Sequence, residues 1–171
     1  GTPIDVAAGG ECQYALATTD GLWVWGTENQ LVNDGLTTSK AFQKVALPSG
    51  LNPAQIKFLS ASENGMAIVM KDGTVWSNVS TGGSVYGQGN GASSGTISSD
   101  FVQVLTAANT PLTGISHLEY INGGGFAYSE SARTFYTWGV NSYAGDSTAS
   151  TSQAYATPMT APPLPSGVSV V

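Results

Sequence analysis

One short pattern occurs three times along this chain, and that repetition limits the fold more than any single residue does. Residues 4–10 lead into 14–26, residues 56–62 into 66–76, and residues 115–120 into 125–128 and 134–139. The opening hydrophobes fall at Ile4, Ile56 and Ile115, and Val168 begins what reads as a fourth copy. A period of about 50 to 60 residues means one supersecondary unit used repeatedly, each copy burying its apolar face against the next. Leu47-Pro48-Ser49-Gly50, Pro111-Leu112-Thr113-Gly114 and Leu164-Pro165-Ser166-Gly167 punctuate the units. Pro and Gly there stop one strand from running into another.

Within each unit the runs are short and β-rich. Residues 14–19 and 22–26 flank Asp20-Gly21, and residues 66–70 and 74–77 flank Asp72-Gly73. Asp-Gly between two such runs signals a hairpin, because Gly accepts the positive φ of a tight turn. The third unit has Ser129-Glu130-Ser131-Ala132-Arg133 instead, so a looser tip is expected. Closing strands are expected at 42–47 and 101–105. No segment sustains a 3.6-residue apolar period with caps, so no helix is expected. Long surface loops are expected at 27–40, 82–95 and 141–157.

About four short strands per unit indicate an all-β partial β-propeller of three four-stranded blades plus the first strand of a fourth. The blades are expected at 1–53, 54–114 and 115–167, with 168–171 starting a further one. Trp138-Gly139-Val140-Asn141-Ser142-Tyr143-Ala144-Gly145-Asp146 resembles the signature of the regulator of chromosome condensation-type repeat family. Ala7-Ala8-Gly9-Gly10 before Tyr14-Ala15-Leu16 is similar to the start of that repeat, and Asp72-Gly73-Thr74-Val75-Trp76 to its central hairpin. The copies depart from it as well. Cys12, Asn64 and Gly124 stand where the repeat has His, Asn78-Val79 where it has Trp-Gly, and Gln30-Leu31-Val32 lacks its final Gly. Such degenerate repeats are similar to those of large bacterial surface proteins. The resemblance implies a propeller, with Trp23, Trp25, Trp76, Phe135 and Trp138 filling the wedges between sheets. It does not carry over the nuclear exchange factor's GTPase or DNA contacts.

Composition narrows the function. Only 9% of the 171 residues are charged, against roughly 25% in an average soluble protein. A surface solvated by hydroxyls and amides points to an extracellular or cell-surface protein. The net charge is -6, and Lys40, Lys44, Lys57, Lys71 and Arg133 are scattered, so no nucleic-acid partner is expected. No apolar run approaches the roughly 18 residues of a membrane-spanning helix. Cys12 is the only cysteine, so it forms no disulfide within the chain, and a small buried hydrophobe is its expected role.

Candidate chemistry is sparse. No cofactor, metal or catalytic group is expected. Asn33-Asp34-Gly35 and Gly145-Asp146-Ser147 lack the carboxylate density of a calcium loop. Gly87-Gln88-Gly89-Asn90-Gly91 is followed by neither a helix nor Lys-Ser/Thr, so it is no phosphate cradle. His117 has no partner in sequence and reads as a satisfied or exposed side chain. The expected function is a non-enzymatic recognition or adhesion module of a secreted or cell-surface protein, binding a protein or glycan on another surface. The contacts would come from the long loops, through Tyr86, Tyr143, Asn141, Asp146, Asn33 and Asp34. A secreted propeller-type enzyme inhibitor and a polysaccharide-acting propeller enzyme are the alternatives. Three blades do not close a ring. The rest of the propeller is therefore expected from the same parent chain or from a second copy.

Overall fold

The computed structural model describes residues 1–10, 13–26, 40–80, 83–98, 100–121, 123–142, 151–159 and 168. Three four-stranded antiparallel sheets follow one another, each ordered as a simple meander. The first holds β1 (Pro3–Gly9), β2 (Gln13–Thr18), β3 (Gly21–Gly26) and β4 (Lys40–Val45). The second holds β5 (Ile56–Ser62), β6 (Gly65–Met70), β7 (Val75–Val79) and β8 (Val102–Gln103). A small hairpin of β9 (Leu105–Ala107) and β10 (Thr110–Pro111) comes next. It takes up part of the segment expected to be one closing strand at 101–105. The third sheet holds β11 (Ile115–Ile121), β12 (Gly124–Ser129), β13 (Thr134–Ser142) and β14 (Thr151–Pro158). The result is an open arc of propeller blades. Val168, expected to open a fourth unit, is exposed and in no strand, and residues 169–171 lie outside the described residues.

The turns follow the local chemistry. Between β6 and β7 the Asp72 carboxylate accepts bonds from the Thr74 backbone N–H (2.9 Å) and hydroxyl (2.7 Å). Those bonds hold its carboxyl below the usual carboxylate range. Gly73 takes φ 81°, which a side chain would resist. In the third sheet four residues, Glu130 to Arg133, span the turn, and Arg133 itself adopts φ 51°.

The innermost strands repeat one register. Each breaks its ladder near its start, between Pro3 and Asp5, Ile56 and Phe58, and Ile115 and His117. β5 packs against both β1 and β11, and side chains tie the three together. Asp5 accepts from the Leu59 N–H (2.9 Å), and Ser60 Oγ accepts from the Tyr120 N–H (2.9 Å). Ser60 in turn donates to Glu119 (3.0 Å). Two of these bonds run to a backbone N–H, so β5 and β11 are each held along the inner edge by the blade before.

Two seams form the core. In one, Ala15, Ala17, Leu22 and Val24 meet Ile56, Met66, Ile68, Met70 and Phe101. In the other, Ala67, Val69, Val75 and Val79 meet Leu118, Tyr120, Ala127, Trp138 and Ala156. β6 feeds both, because its residues alternate between the two faces. All six of them are buried, as in a strand covered on both sides. Burying each large aliphatic side chain is worth about 1.5–3 kcal/mol.

The expected wedge of aromatics holds for Trp76 and Trp138, which lie in the seams. It fails for Trp23, Trp25 and Phe135. Trp23 and Trp25 sit on the opposite face of β3 from Leu22 and Val24, outside the two seams formed by the described sheets. There Trp25 stacks with Tyr14 (5.4 Å), and Phe42 packs on Trp23 (5.2 Å) and Trp25 (4.9 Å). Phe135 lies on the face of the third sheet turned away from the second, against Phe126 (5.2 Å) and the buried Tyr128 (4.6 Å).

Trp138 reaches its seam because its cross-strand partner is Gly125. A Cβ built at Gly125 falls on the indole ring. Gly125→Ala is therefore expected to lower stability by about 1–3 kcal/mol, the cost of overpacking. A lower urea midpoint, with red-shifted tryptophan emission as the indole is pushed out, would show it. An unchanged midpoint would contradict this packing.

Candidate functional site

The loop-bearing face follows from register. Gly26, Val79 and Gly139, at or near the ends of β3, β7 and β13, pair with Gln13, Gly65 and Gly124. These three are the first residues of β2, β6 and β12, so the three long connections leave from the same end of their sheets. Residues 27–39 and 143–150 lie outside the described residues, and Asn33, Asp34, Tyr143 and Asp146 with them. Asn141 belongs to β13 by its backbone, and its side chain is also outside the description. Tyr86 lies in a 3-10 turn, Val85–Gln88, and is half-buried.

The second connection is not the solvated loop expected at 82–95. Gly87, Gln88 and Gly89 are buried. The Gly87 carbonyl accepts from two buried donors, Trp138 Nε1 (3.0 Å) and the Tyr120 hydroxyl (3.1 Å). Ser77 donates to the Gln88 carbonyl (2.7 Å), and the Gln88 side chain accepts from the Ser98 N–H (2.9 Å). The Leu105 N–H closes on the Gly89 carbonyl (2.8 Å), and Asn90 pairs with Tyr155 on β14. Carbonyls that burial would orphan all find partners, and this is what permits irregular backbone in a seam. Burial also pushes the Tyr120 phenol well above its ordinary pKa.

This anchoring places Tyr86 beside the third blade. Its neighbour Gly87 approaches Gly123, whose carbonyl accepts from the Val140 N–H (3.1 Å). Tyr86 and the Asn141 backbone thus come to the same end of the third sheet. Ile121 and Val140 are exposed at that rim. Val140 comes to Ile121 only through the hydrogen bond from its N–H to the Gly123 carbonyl, a pairing with no local signal in the sequence.

A second feature was not expected. A cavity of about 530 Å3 runs along the inner strands, between Val6 and Ala8, Phe58 and Ser60, and His117 and Glu119. Phe126, Tyr128 and Phe135 form one wall. The Ser116 hydroxyl donates to the Tyr128 carbonyl (3.2 Å), so its contact with His117 Nδ1 (3.0 Å) requires the ring to donate. His117 Nε2 is then the acceptor in the neutral ring. Glu119 adds a carboxylate, so the polar rim of the cavity is acceptor-rich. Among the described residues, no group of three or more His, Cys, Asp or Glu could hold a metal ion.

Tyr120→Phe removes one of the two donors to Gly87 and is expected to cost about 0.5–1.5 kcal/mol at neutral pH. A raised folded pKa sets the sign of the pH dependence. The contribution is complete below the unfolded phenol value near 10 and is lost as pH rises from there toward the folded value. Urea unfolding from about pH 7 to 11 should show wild-type stability falling above pH 10 more steeply than that of the phenylalanine variant. Parallel curves would refute a phenol held neutral in the seam.

No protein-family model matches the chain. No curated protein sequence matches it either. Solved structures do. The chain aligns with human WBSCR16 at a TM-score of 0.68 and 17% identity, over 94% of this chain and 40% of that one. It aligns with yeast RCC1 (Prp20), solved bound to Kap60, at 0.63 and 20%, over 90% of this chain and 36% of that one. It aligns with Prp20p from Saccharomyces cerevisiae at 0.62 and 15%, over 94% and 36%. The chain therefore spans two fifths or less of each of these structures. At these identities the likeness speaks for the fold, and the three sheets of this chain are blades of the RCC1 type of β-propeller.

Proposed function

We propose that this chain is a non-enzymatic recognition module that binds a protein partner through the loop-bearing face of its blades. The observation that carries this reading is the anchoring of residues 83–98. A connection rich in Gly and Ser is held by buried hydrogen bonds to Trp138, Tyr120 and Ser77, so Tyr86 is presented without an ordering cost on binding. Exposed Ile121 and Val140 beside it supply apolar contact area. Two of the structurally similar proteins support the use of such propellers as protein platforms. Yeast RCC1 was solved bound to Kap60, and the Prp20p structure is described with its binding to Gsp1p and histones. Those partners belong to those proteins. For this chain a secreted or cell-surface setting and a role in adhesion rest on its low charge content. Glycans on another surface are the competing ligand class.

A protein-interaction screen, a glycan array and an activity screen on polysaccharides separate the readings. The expected outcome is a protein hit and no turnover. Tyr86→Ala and Tyr143→Ala together should weaken that interaction at least about tenfold, roughly 1.4 kcal/mol, with an unchanged unfolding midpoint. Full affinity in the double variant would exclude this face. Glycan binding without any protein hit, or polysaccharide cleavage, would replace the proposal.

A further inference from the structure

Residues 51–55 are an insertion in the repeat. Gly114 and Gly167 stand directly before Ile115 and Val168, whereas Leu51-Asn52-Pro53-Ala54-Gln55 separates Gly50 from Ile56. At the second junction the chain fills the mouth of its own seam. Leu112 is buried there, and Gly114 lies so close to Gly73 that a Cβ on Gly73 would strike its backbone. At the first junction the inserted residues form a 3-10 turn, Pro53–Gln55, instead. A cavity of about 270 Å3 lies between that turn, the β6–β7 hairpin and β8. It sits inside the arc, at the hairpin end of the blades, opposite the long connections.

The lining has one apolar wall and a nearly neutral polar rim. Met70 and the half-buried Trp76 form the wall. Asn52, Gln55, Asp72 and Gln103 form the rim, with Gln103 directly across the β7–β8 pair from Trp76. Asn52 Oδ1 accepts from the Ala54 N–H (3.0 Å), which leaves its Nδ2 to donate. Asp72 Oδ1 is taken by Thr74, which leaves Oδ2 to accept. The Gln55 and Gln103 amides have no hydrogen-bond partner among the described residues, so each offers a donor and an acceptor. No Lys or Arg lines the cavity, so an anion finds no counter-charge. Hydroxyls, which both donate and accept, match this mixture. The rim is also ordered in advance. Lys71 donates through its backbone N–H to the Gln55 carbonyl (2.8 Å) and through Nζ to the Ala54 carbonyl (2.8 Å).

We propose that this cavity binds one neutral sugar ring, with its C–H face on Trp76 and its hydroxyls on Asn52, Gln55, Asp72 and Gln103. The volume falls just below the roughly 300–1,000 Å3 of drug-sized sites, which suits a single ring. The site is separate from Tyr86 and the loop-bearing face, and its occupancy does not depend on a protein partner there.

Saturation-transfer NMR and titration calorimetry test this on the 171-residue chain, with the methyl glycosides of glucose, galactose, mannose and N-acetylglucosamine as probes. Choline is added as a cationic probe, because Trp76 beside Asp72 is also the chemistry of a cation site. The expected result is saturable binding of at least one glycoside, with a dissociation constant on the order of 1 mM, and none of choline. Gln55→Ala, at an exposed position, and Gln103→Ala should each weaken that binding about three- to tenfold with an unchanged urea midpoint. Tyr86→Ala should leave it unchanged. Absence of binding by every glycoside overturns the proposal. So does full binding in both glutamine variants, which places the sugar elsewhere, or a preference for choline that Asp72→Asn abolishes.

Discussion

The structure turns on one backbone oxygen. The Gly87 carbonyl sits inside the seam between the second and third sheets, where an unpaired acceptor would cost about 1–3 kcal/mol. Trp138 and Tyr120, from two different strands of the third sheet, both donate to it. That shared acceptor fixes the indole over Gly125 and the phenol against Gly87, and it draws the connection from β7 to β8 into the core. Loop position, seam packing and blade spacing are therefore a single constraint. Unlike apolar contact it has direction, so it selects one arrangement among the many that would bury the same area.

Propeller seams need this kind of directional help. The second sheet buries both faces, and strand alternation sends neighbouring residues of β6 into different cores. Hydrophobic burial drives stacking but leaves sliding between sheets cheap. The hydrogen bonds from Leu59 to Asp5 and from Tyr120 to Ser60 oppose that sliding at the inner edge. The Gly87 contacts oppose it farther out.

Much of this arc was legible in the chain. The repeated runs and the Asp72-Gly73 turn locate the sheets, because turn chemistry and period-2 alternation are local properties. The direction of Trp23 and Trp25 was not legible. Which face of a strand is covered depends on which neighbouring blade exists, and nothing local to β3 records that. Residues 82–95 misled for another reason. Glycine is read as a loop residue, but Gly89 is small because the Trp138 ring packs on it, with a Cβ at Gly89 only 2.8 Å from Trp138 Cδ1. Gly89 also turns the chain, at φ 64°, and composition does not show that one glycine both bends a chain and admits a ring. The cavity was hidden too, since His117, Glu119 and Phe126 gain a common setting only when β11 and β12 pair.

The departures from the repeat follow from pairwise filling of space. The cross-strand pair leading each preceding face is Gly125 with Trp138 in the third sheet and Met66 with Asn78 in the second. One large and one absent side chain, or two of medium size, fill a similar gap. Hence a tryptophan can become Asn78 without a void, because Met66 supplies the missing volume, and Asn78 remains buried. The first sheet breaks this rule, with Tyr14 opposite Trp25. Two rings exceed the volume of either internal pair, and here they stack on each other.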